Sequence, residues 1–243
     1  MLRGLFGYWY RKFSMGGWFI IKNDMQLEKR LKKAFRYAMY PVKQLDTQIQ
    51  VRQFHRNLQR FHRPYRLHVG CGKVKLENWI NMDARPLPDS VDIRWDIRKK
   101  MPIADSTCEF IYTEHLLEHL TVREGTFLLA EFYRLLQPLG VVRIAMPSLD
   151  YIVRKYISPD WNHQDWLTWE EYRHIRTRGE MINIAFRSWG HKWLYDAEEL
   201  RRRLTDAGFS VIRDCAWGES EHPLLRKLES RPDSILICEA SKS

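Results

Sequence analysis

The segment Arg66-Leu-His-Val-Gly-Cys-Gly72 decides the fold of this 243-residue chain. Its apolar run ends in two glycines separated by one residue, which is typical of a buried parallel strand that turns tightly into a ligand site. Glycine lets the backbone approach a bound molecule closely, because no Cβ intervenes. Three later strand-like segments each end in an acidic residue, namely Asp83, Asp96 and Glu114. Carboxylates at consecutive strand ends of an open α/β sheet converge on one crevice, so the sequence predicts a ligand site there.

From Arg66 onward, apolar runs and helical patterns alternate as in βαβ units. Strands are predicted near residues 66–70, 79–83, 91–95, 109–113, 141–146, 209–215 and 234–240, and helices near 121–136 and 196–207. Asp196 is a candidate N-cap for the second helix, and Gly208 is its expected stop. Too few residues separate Gly72 from the second strand to form a crossover helix.

Taken in order, these motifs resemble the class I S-adenosylmethionine-dependent methyltransferases, in the type-11-like branch that is often associated with polysaccharide biosynthesis. The resemblance covers Arg66 to about Ala240. It rests on the Gly70-Cys-Gly72 loop, Trp79-Ile-Asn-Met-Asp83, Trp95-Asp96, Tyr112-Thr-Glu-His-Leu-Leu-Glu-His119, Arg134-Leu-Leu-Gln-Pro-Leu-Gly140, Gly190-His-Lys-Trp-Leu-Tyr-Asp196 and Ala207-Gly-Phe209.

The resemblance implies a Rossmann-like α/β fold, with a seven-stranded, mostly parallel sheet whose last strand is antiparallel. It also implies S-adenosylmethionine as the cofactor. Gly70, Cys71 and Gly72 would approach the methionine part, and Asp83 would accept hydrogen bonds from the ribose hydroxyls. Asp96 would meet the adenine amino group, although Asp92 competes for that assignment. Glu114 and His115 would face the same crevice.

Two features separate this sequence from commoner patterns. His68 stands two places before the first glycine, where the wider superfamily often has an acidic residue, so one expected contact to the amino-acid end of the cofactor is missing. The third glycine of a dinucleotide-binding G-x-G-x-x-G motif would fall at Lys75, which argues against NAD.

Methyl transfer to an oxygen benefits from a base that takes the acceptor's proton. Histidine suits this role near neutral pH, and His119 and His191 are the predicted candidates, with Asp150 and Glu114 in reserve. The acid–histidine pairs in residues 114–119 do not have the His-Glu-x-x-His order of zinc enzymes, and no metal site is predicted. An inactive scaffold that binds a partner is an alternative to the enzyme.

Residues 148–195 are too long for a simple connection, and we expect them to form their own helices as a lid or acceptor pocket. The segment is rich in tryptophan and tyrosine. Aromatic faces suit the apolar faces of sugar rings, although most of these side chains are expected to form the segment's own core. With the resemblance, this favours methylation of a sugar hydroxyl in a surface glycan or its lipid-linked precursor.

Residues 1–65 are predicted to form a separate basic, aromatic helical arm before the methyltransferase domain at 66–243. Residues 1–66 contain 15 Lys and Arg but 3 Asp and Glu, whereas the rest of the chain is nearly neutral. Amphipathic helices are predicted at 26–40, ending at Pro41, and at 45–61. The arm has three interpretations: it binds an anionic membrane surface, it binds nucleic acid in an RNA methyltransferase, or it packs against protein.

The apolar runs and the cysteines of the sequence indicate the cellular compartment of the protein. The apolar runs near the start are too short to span a bilayer or to act as a secretory signal. The four cysteines show neither C-x-x-C pairs nor zinc spacing and are interpreted as small buried thiols in a reducing compartment. We therefore expect a cytoplasmic protein that is peripheral on the inner membrane face if the arm binds lipid.

Overall fold

A computed structural model of the chain describes the backbone of residues 40–243 and the side chains from residue 47 onward. The predicted helix at 26–40 and the aromatic segment 1–22 lie outside the described residues. The chain divides into two compact units, Met1–Arg52 and Gln53–Ser243, and the sheet and cavity belong to the second. No helix in the described part of the chain is long and apolar enough to cross a membrane.

The second unit is built around one seven-stranded sheet, with strand order β3-β2-β1-β4-β5-β7-β6. Its strands are β1 (Tyr65–Val69), β2 (Ile80–Asp83), β3 (Ile93–Arg94), β4 (Cys108–Glu114), β5 (Leu136–Met146), β6 (Val211–Asp214) and β7 (Leu236–Ser241). Strand β7 pairs antiparallel with both β5 and β6, and the pairs among β1 to β5 are parallel. The predicted fold class, a mostly parallel sheet with an antiparallel last strand, is confirmed.

Within residues 40–243 the α-helices are α1 (Tyr40–Leu58), α2 (Val122–Leu135), α3 (Leu149–Ile157), α4 (Arg178–Arg187) and α5 (Ala197–Asp206). Helix α1 includes Tyr40 and Pro41, so the prediction of a break at Pro41 with a second helix from residue 45 is wrong, because the fixed φ of proline is compatible with helical backbone. Asp196 caps α5 by accepting a hydrogen bond from the backbone N–H of Glu199, as predicted. Gly208 follows that helix with φ +109°, a conformation that favours glycine.

The central strands are buried on both faces and form the core, as is expected of a parallel sheet that is covered by helices. Leu67 and Val69 of β1 and Ile111 of β4 are fully buried, and α2 buries Leu128 and Phe132 against the sheet. Residues 70–79 form turns without a helix, as the short spacing predicted. The glycine loop therefore passes directly into β2.

Residues 148–195 form helices of their own, as expected. Helices α3 and α4 flank two short 3-10 turns, Asp165–Thr168 and Glu170–Tyr172. Trp166, Ile175 and Met181 are buried together and form a small separate core. Of the aromatic side chains in this segment, Trp166 and Tyr195 are buried, whereas five are exposed, so the expectation that most of them form the segment's own core is confirmed only in part. The exposed ones are Tyr156, Trp169, Phe186, Trp189 and Trp193.

Candidate active site

A cavity of about 570 Å³ lies where β1, β2 and β4 end. From β1 the strand order runs to β2 and β3 on one side and continues with β4 and β5 on the other. Open α/β sheets bind ligands in the crevice at such a switch point. The described residues that line it are His68, Gly70, Cys71, Gly72, Val74, Asp83, Arg85, Glu114, His115, Leu116, His119, Trp169, Trp189, His191, Ser230, Arg231 and Asp233. The cavity thus brings together most of the predicted site residues.

The glycine loop turns away from β1 through positive-φ backbone. Gly70 has φ +75°, and its N–H donates to the carbonyl of Met82 at 2.8 Å. A Cβ at Gly70 would lie 2.9 Å from the Leu116 side chain, and together with the positive φ this contact strongly favours glycine. Between the glycines, burial raises the pKa of the Cys71 thiol to about 12, with Asp83 and Asp92 adding to the shift. Cys71 is a packing residue, because a protonated thiol is a poor nucleophile.

Asp83 ends β2 and holds the glycine loop. Its Oδ2 accepts a hydrogen bond from the N–H of Gly72 at 2.9 Å, and its Oδ1 accepts from the N–H of Arg85 at 2.8 Å. The Arg85 guanidinium also lies against the carboxylate, with Nε 3.2 Å from Oδ1. Burial acts to raise the pKa of Asp83, but the donors from Arg85 and Gly72 outweigh it and hold the pKa below its usual value.

His68 is buried in the cavity wall, and its tautomer follows from its neighbour Asn81. The Asn81 amide group donates to the carbonyls of Leu76 and Trp79 and to Asp92, so its Oδ1 is an acceptor. That oxygen lies 3.0 Å from His68 Nδ1, which must therefore carry the proton. Burial lowers the pKa of His68, although Asn81, Glu114 and Asp83 oppose the shift. The neutral ring keeps Nε2 as a hydrogen-bond acceptor.

Glu114 ends β4 and binds the loop between β6 and β7. Its carboxylate accepts hydrogen bonds from the N–H groups of Ser230 and Arg231 and from the hydroxyls of Ser230 and Ser234. These donors occupy both oxygens. Glu114 thereby places Ser230, Arg231 and Asp233 in the cavity wall, and its own carboxylate has little capacity left for a ligand.

The next residues turn sharply into the cavity. His115 has φ +50°, which is uncommon for a residue with a side chain and marks a constrained site. Its ring lies between Glu118 and Asp233, with Nδ1 3.3 Å from Glu118 Oε1 and Nε2 3.4 Å from Asp233 Oδ1. Burial acts to raise the pKa of Glu118, but the imidazoles of His115 and His119 outweigh it and lower the pKa.

His119 and His191 meet at the cavity edge although they are distant in sequence. Their ring centroids are 5.1 Å apart. Burial lowers the pKa of His119, an effect that Glu118 opposes and His191 reinforces. His191 follows Trp189 and Gly190, which both have positive φ, and this turn directs the loop back toward β4. Both predicted histidines therefore reach the cavity, and His119 is largely neutral near pH 7.

Two predicted residues lie elsewhere. Asp96 forms a bidentate pair with Arg98, at 2.8 and 2.9 Å, and is not among the described residues that line the cavity. Asp150 is exposed on α3, where it pairs with Arg154, and it is also outside that lining. Arg85, Leu116, Ser230 and Asp233 also line the cavity and were not predicted. Arg85 and Leu116 lie within two residues of predicted site residues, which was the signal that could have found them. Ser230 and Asp233 reach the cavity only through contacts between distant segments.

Neither a protein-family model nor a curated protein sequence matches the chain. Similar solved structures include S-adenosylmethionine-dependent methyltransferases from three organisms. That from Archaeoglobus fulgidus is 17% identical, with a TM-score of 0.45, and covers 80% of this chain and 94% of its own. That from Thermotoga maritima is 14% identical, with a TM-score of 0.44 and coverages of 89% and 97%. That from Mesorhizobium loti is 15% identical, with a TM-score of 0.43 and coverages of 73% and 90%.

Proposed function

We propose that the protein is an S-adenosylmethionine-dependent methyltransferase. The observation that carries the proposal is the junction of β1 and β2, where a two-glycine loop meets the carboxylate of Asp83 without an intervening helix. A bound dinucleotide places its pyrophosphate at a helix N-terminus after such a loop. Residues 70–79 provide no such helix. S-adenosylmethionine has no phosphates and does not need one.

The residues present fit this cofactor. Asp83 keeps its two backbone donors, and the Arg85 side chain that covers its outer edge is 64% exposed and can swing away. The ribose hydroxyls would then replace the guanidinium as donors to the carboxylate, which accepts hydrogen bonds only. The Asp83 contacts support this assignment of the ribose subsite.

His68 is proposed to receive the amino-acid end of the cofactor. Its proton is committed to Asn81, so Nε2 is the acceptor that its ring offers on the cavity side. An α-ammonium group donates hydrogen bonds and would pair with this nitrogen. The histidine would thus perform the role for which related enzymes use an acidic residue.

The sulfonium of the cofactor supplies the reactive methyl group, and the protein positions the acceptor and excludes water. Glu114 supports this by fixing the wall formed by residues 230–234. His119, which is largely neutral, and His191 are the cavity histidines available to manage the acceptor's proton.

The cofactor assignment is tested by calorimetric titration of the purified protein with S-adenosylmethionine and S-adenosylhomocysteine. We expect one site with micromolar affinity for both. NAD measured under the same conditions should not bind. Absence of binding by either sulfur compound would overturn the proposal.

For the acceptor, we propose a sugar hydroxyl of a surface glycan or its lipid-linked precursor, in keeping with the type-11-like motifs. Trp169 and Trp189 line the cavity, and Trp169 is 47% exposed. An exposed indole face beside a polar cavity suits a sugar ring, which has apolar faces and a hydroxyl-bearing rim. The aromatic wall supports this choice of acceptor.

The Trp169→Ala variant should raise the acceptor KM about tenfold, because losing a stacking face costs about 1.4 kcal/mol. Its affinity for S-adenosylmethionine should not change. Methyl transfer from labelled cofactor to glycan and lipid-linked saccharide fractions provides the assay. Phe127→Ala is the matched control, since Phe127 is an exposed aromatic residue on α2 and is not among the described cavity residues. Equal effects of the two substitutions would argue against a stacking role.

We further propose that residues 1–65 recruit the enzyme to an anionic membrane surface. The support is the excess of Lys and Arg in this part of the sequence. Each basic residue near such a surface contributes about 1 kcal/mol. A full-length variant with Lys29, Arg30, Lys32, Lys33 and Arg36 changed to Gln should therefore bind anionic vesicles at least ~100-fold more weakly. Flotation with anionic and neutral vesicles measures this, and unchanged binding would refute recruitment by these charges.

A further inference from the structure

Two histidines that line the cavity and the buried Glu118 form a compact set of metal-ligand types. A carboxylate oxygen of Glu118 and one ring nitrogen from each of His119 and His191 all lie within 4.8 Å of one another. Both histidines line the cavity. The sequence order conceals this set, because Glu118 and His119 are adjacent while His191 comes from the loop after α4.

Glu118 is the unusual member of the set. Its side chain is 0% exposed, and neither carboxylate oxygen has a hydrogen-bond partner among the described residues. His115 Nδ1 lies 3.3 Å from Oε1 without hydrogen-bond geometry, and His119 Nε2 lies 3.9 Å away. A buried carboxylate whose oxygens accept no hydrogen bond is costly and calls for an explanation, even with an imidazole nearby. A bound cation would satisfy both oxygens.

The two histidines are oriented as metal ligands are. His191 Nδ1 lies 2.8 Å from the carbonyl oxygen of Ala185, so it donates a proton there and leaves Nε2 as the free lone pair. On His119, Nδ1 faces the backbone of Gly190 while Nε2 faces Glu118. An outer hydrogen bond that fixes the tautomer is the usual support for a metal-binding imidazole.

The backbone holds the distant ligand in place. The carbonyl of Glu118 accepts hydrogen bonds from the N–H groups of Lys192 and Trp193, at 2.8 and 3.2 Å. The residue after His191 is thus clamped directly to Glu118. The positive-φ pair Trp189 and Gly190 completes the turn. Such preorganisation reduces the entropic cost of assembling a site from two segments.

We propose that Glu118, His119 and His191 bind a divalent transition-metal ion at the wall of the cavity. Two imidazoles and one carboxylate are a donor set that suits zinc, iron or cobalt and leaves coordination positions open. The role of the ion rests on the proposed function: it would take the acceptor hydroxyl as a ligand and acidify it, with the proton passing to solvent. With the ion bound, His119 and His191 act as its ligands, and the ion takes over the role in activating the acceptor that these histidines would have in the metal-free protein.

The test is direct metal binding by full-length protein that has been freed of metal with a chelator. Titration with Co²⁺, followed by its visible absorption, should show one equivalent bound, and Zn²⁺ should displace it. Glu118→Gln and His191→Ala should each weaken binding on the order of 100-fold or more. His174→Ala is the control, because His174 is exposed and lies outside the set. Stoichiometric binding that these two variants leave unchanged would overturn the proposal, as would no binding by the wild type.

Two further measurements distinguish a failure of the metal-site proposal from a failure of the methyltransferase proposal. Zn²⁺ at about 100 times its Kd should stabilise the wild type by about 2.7 kcal/mol and should not stabilise the Glu118→Gln variant, whose own unfolding transition shows that it is folded. Titration of the metal-free protein with S-adenosylmethionine tests the proposed function independently. Cofactor binding without metal binding refutes the metal site alone, and the reverse result leaves the metal site standing while refuting the methyltransferase.

Discussion

The Asp83→Ala variant is expected to bind S-adenosylmethionine at least ~100-fold more weakly than the wild type. Two hydrogen bonds from ribose hydroxyls to a carboxylate contribute about 1.5–3 kcal/mol each, and loss of about 2.7 kcal/mol corresponds to a 100-fold change in Kd. The substitution also removes the acceptor of the Gly72 N–H, which holds the glycine loop against β2. Both effects reduce affinity for the cofactor.

Calorimetry with S-adenosylmethionine and S-adenosylhomocysteine measures this loss. Asp83→Asn should give an intermediate affinity, because the amide keeps one acceptor oxygen. Asp206→Ala is the matched control, since this carboxylate pairs with Arg202 on the exposed surface of α5. An affinity for the Asp83→Ala protein within about threefold of wild type, a difference of only ~0.65 kcal/mol, would exclude Asp83 from the ribose subsite.

The affinity of the Asp96→Ala variant for S-adenosylmethionine, measured in the same calorimetric series, distinguishes two expectations for the residue that follows the third strand. The sequence motif predicts a contact with adenine and hence weaker binding. The structure pairs Asp96 with Arg98 outside the described cavity lining, which predicts little change unless that pair opens when the ligand binds. A large loss would show that Asp96 exchanges Arg98 for the cofactor.

The Arg143→Met variant is expected to lose about 3–5 kcal/mol of unfolding free energy. Arg143 lies on β5 with its side chain 0% exposed, and it forms ion pairs with Glu229 and Glu239 at 2.6 Å each. It also donates to the carbonyl of Glu219 at 2.8 Å, in the loop between β6 and β7. Removing the guanidinium leaves two buried carboxylates without a counter-charge. This destabilises a protein more than replacing the whole buried ion pair with apolar residues does.

Chemical denaturation gives the free energy, and the midpoint of thermal unfolding should fall by roughly 6–20 °C. Changing Glu229 and Glu239 to Gln in the Arg143→Met background should recover much of the loss, because the uncompensated charges are then gone. Arg202→Ala removes exposed ion pairs and should cost no more than about 1 kcal/mol. A loss for Arg143→Met no larger than for Arg202→Ala would show that the buried triad contributes little.

The same triad affects the site through the loop. Glu229 binds both Arg143 and the N–H of Gly218, and the following residues Ser230 and Arg231 donate to Glu114. Arg143 therefore supports one wall of the cavity from the interior of the sheet. This connection links sheet stability to the placement of the cavity residues.

The amino-acid sequence by itself determined the sheet and the cavity's main elements, because the relevant signals are local. Apolar runs that end in glycine or an acid mark buried strands and their ends, and parallel strands bring those ends to one edge. Gly70, Asp83 and Glu114 were placed at that edge on this basis. The capping of α5 by Asp196 and the lack of a helix after Gly72 also depend on near neighbours.

Only the tertiary structure decided what those side chains contact. Arg85 covers Asp83, Glu114 is bound by a loop more than 100 positions away, and Asp96 turns to Arg98. The burial of Glu118 without a hydrogen bond to either carboxylate oxygen, and its approach to His191, depend on segments that meet only after folding. Contacts between distant segments leave no periodic pattern in the sequence, since each segment's local preferences are satisfied with or without the other. The partners of the site residues therefore had to be read from the folded chain.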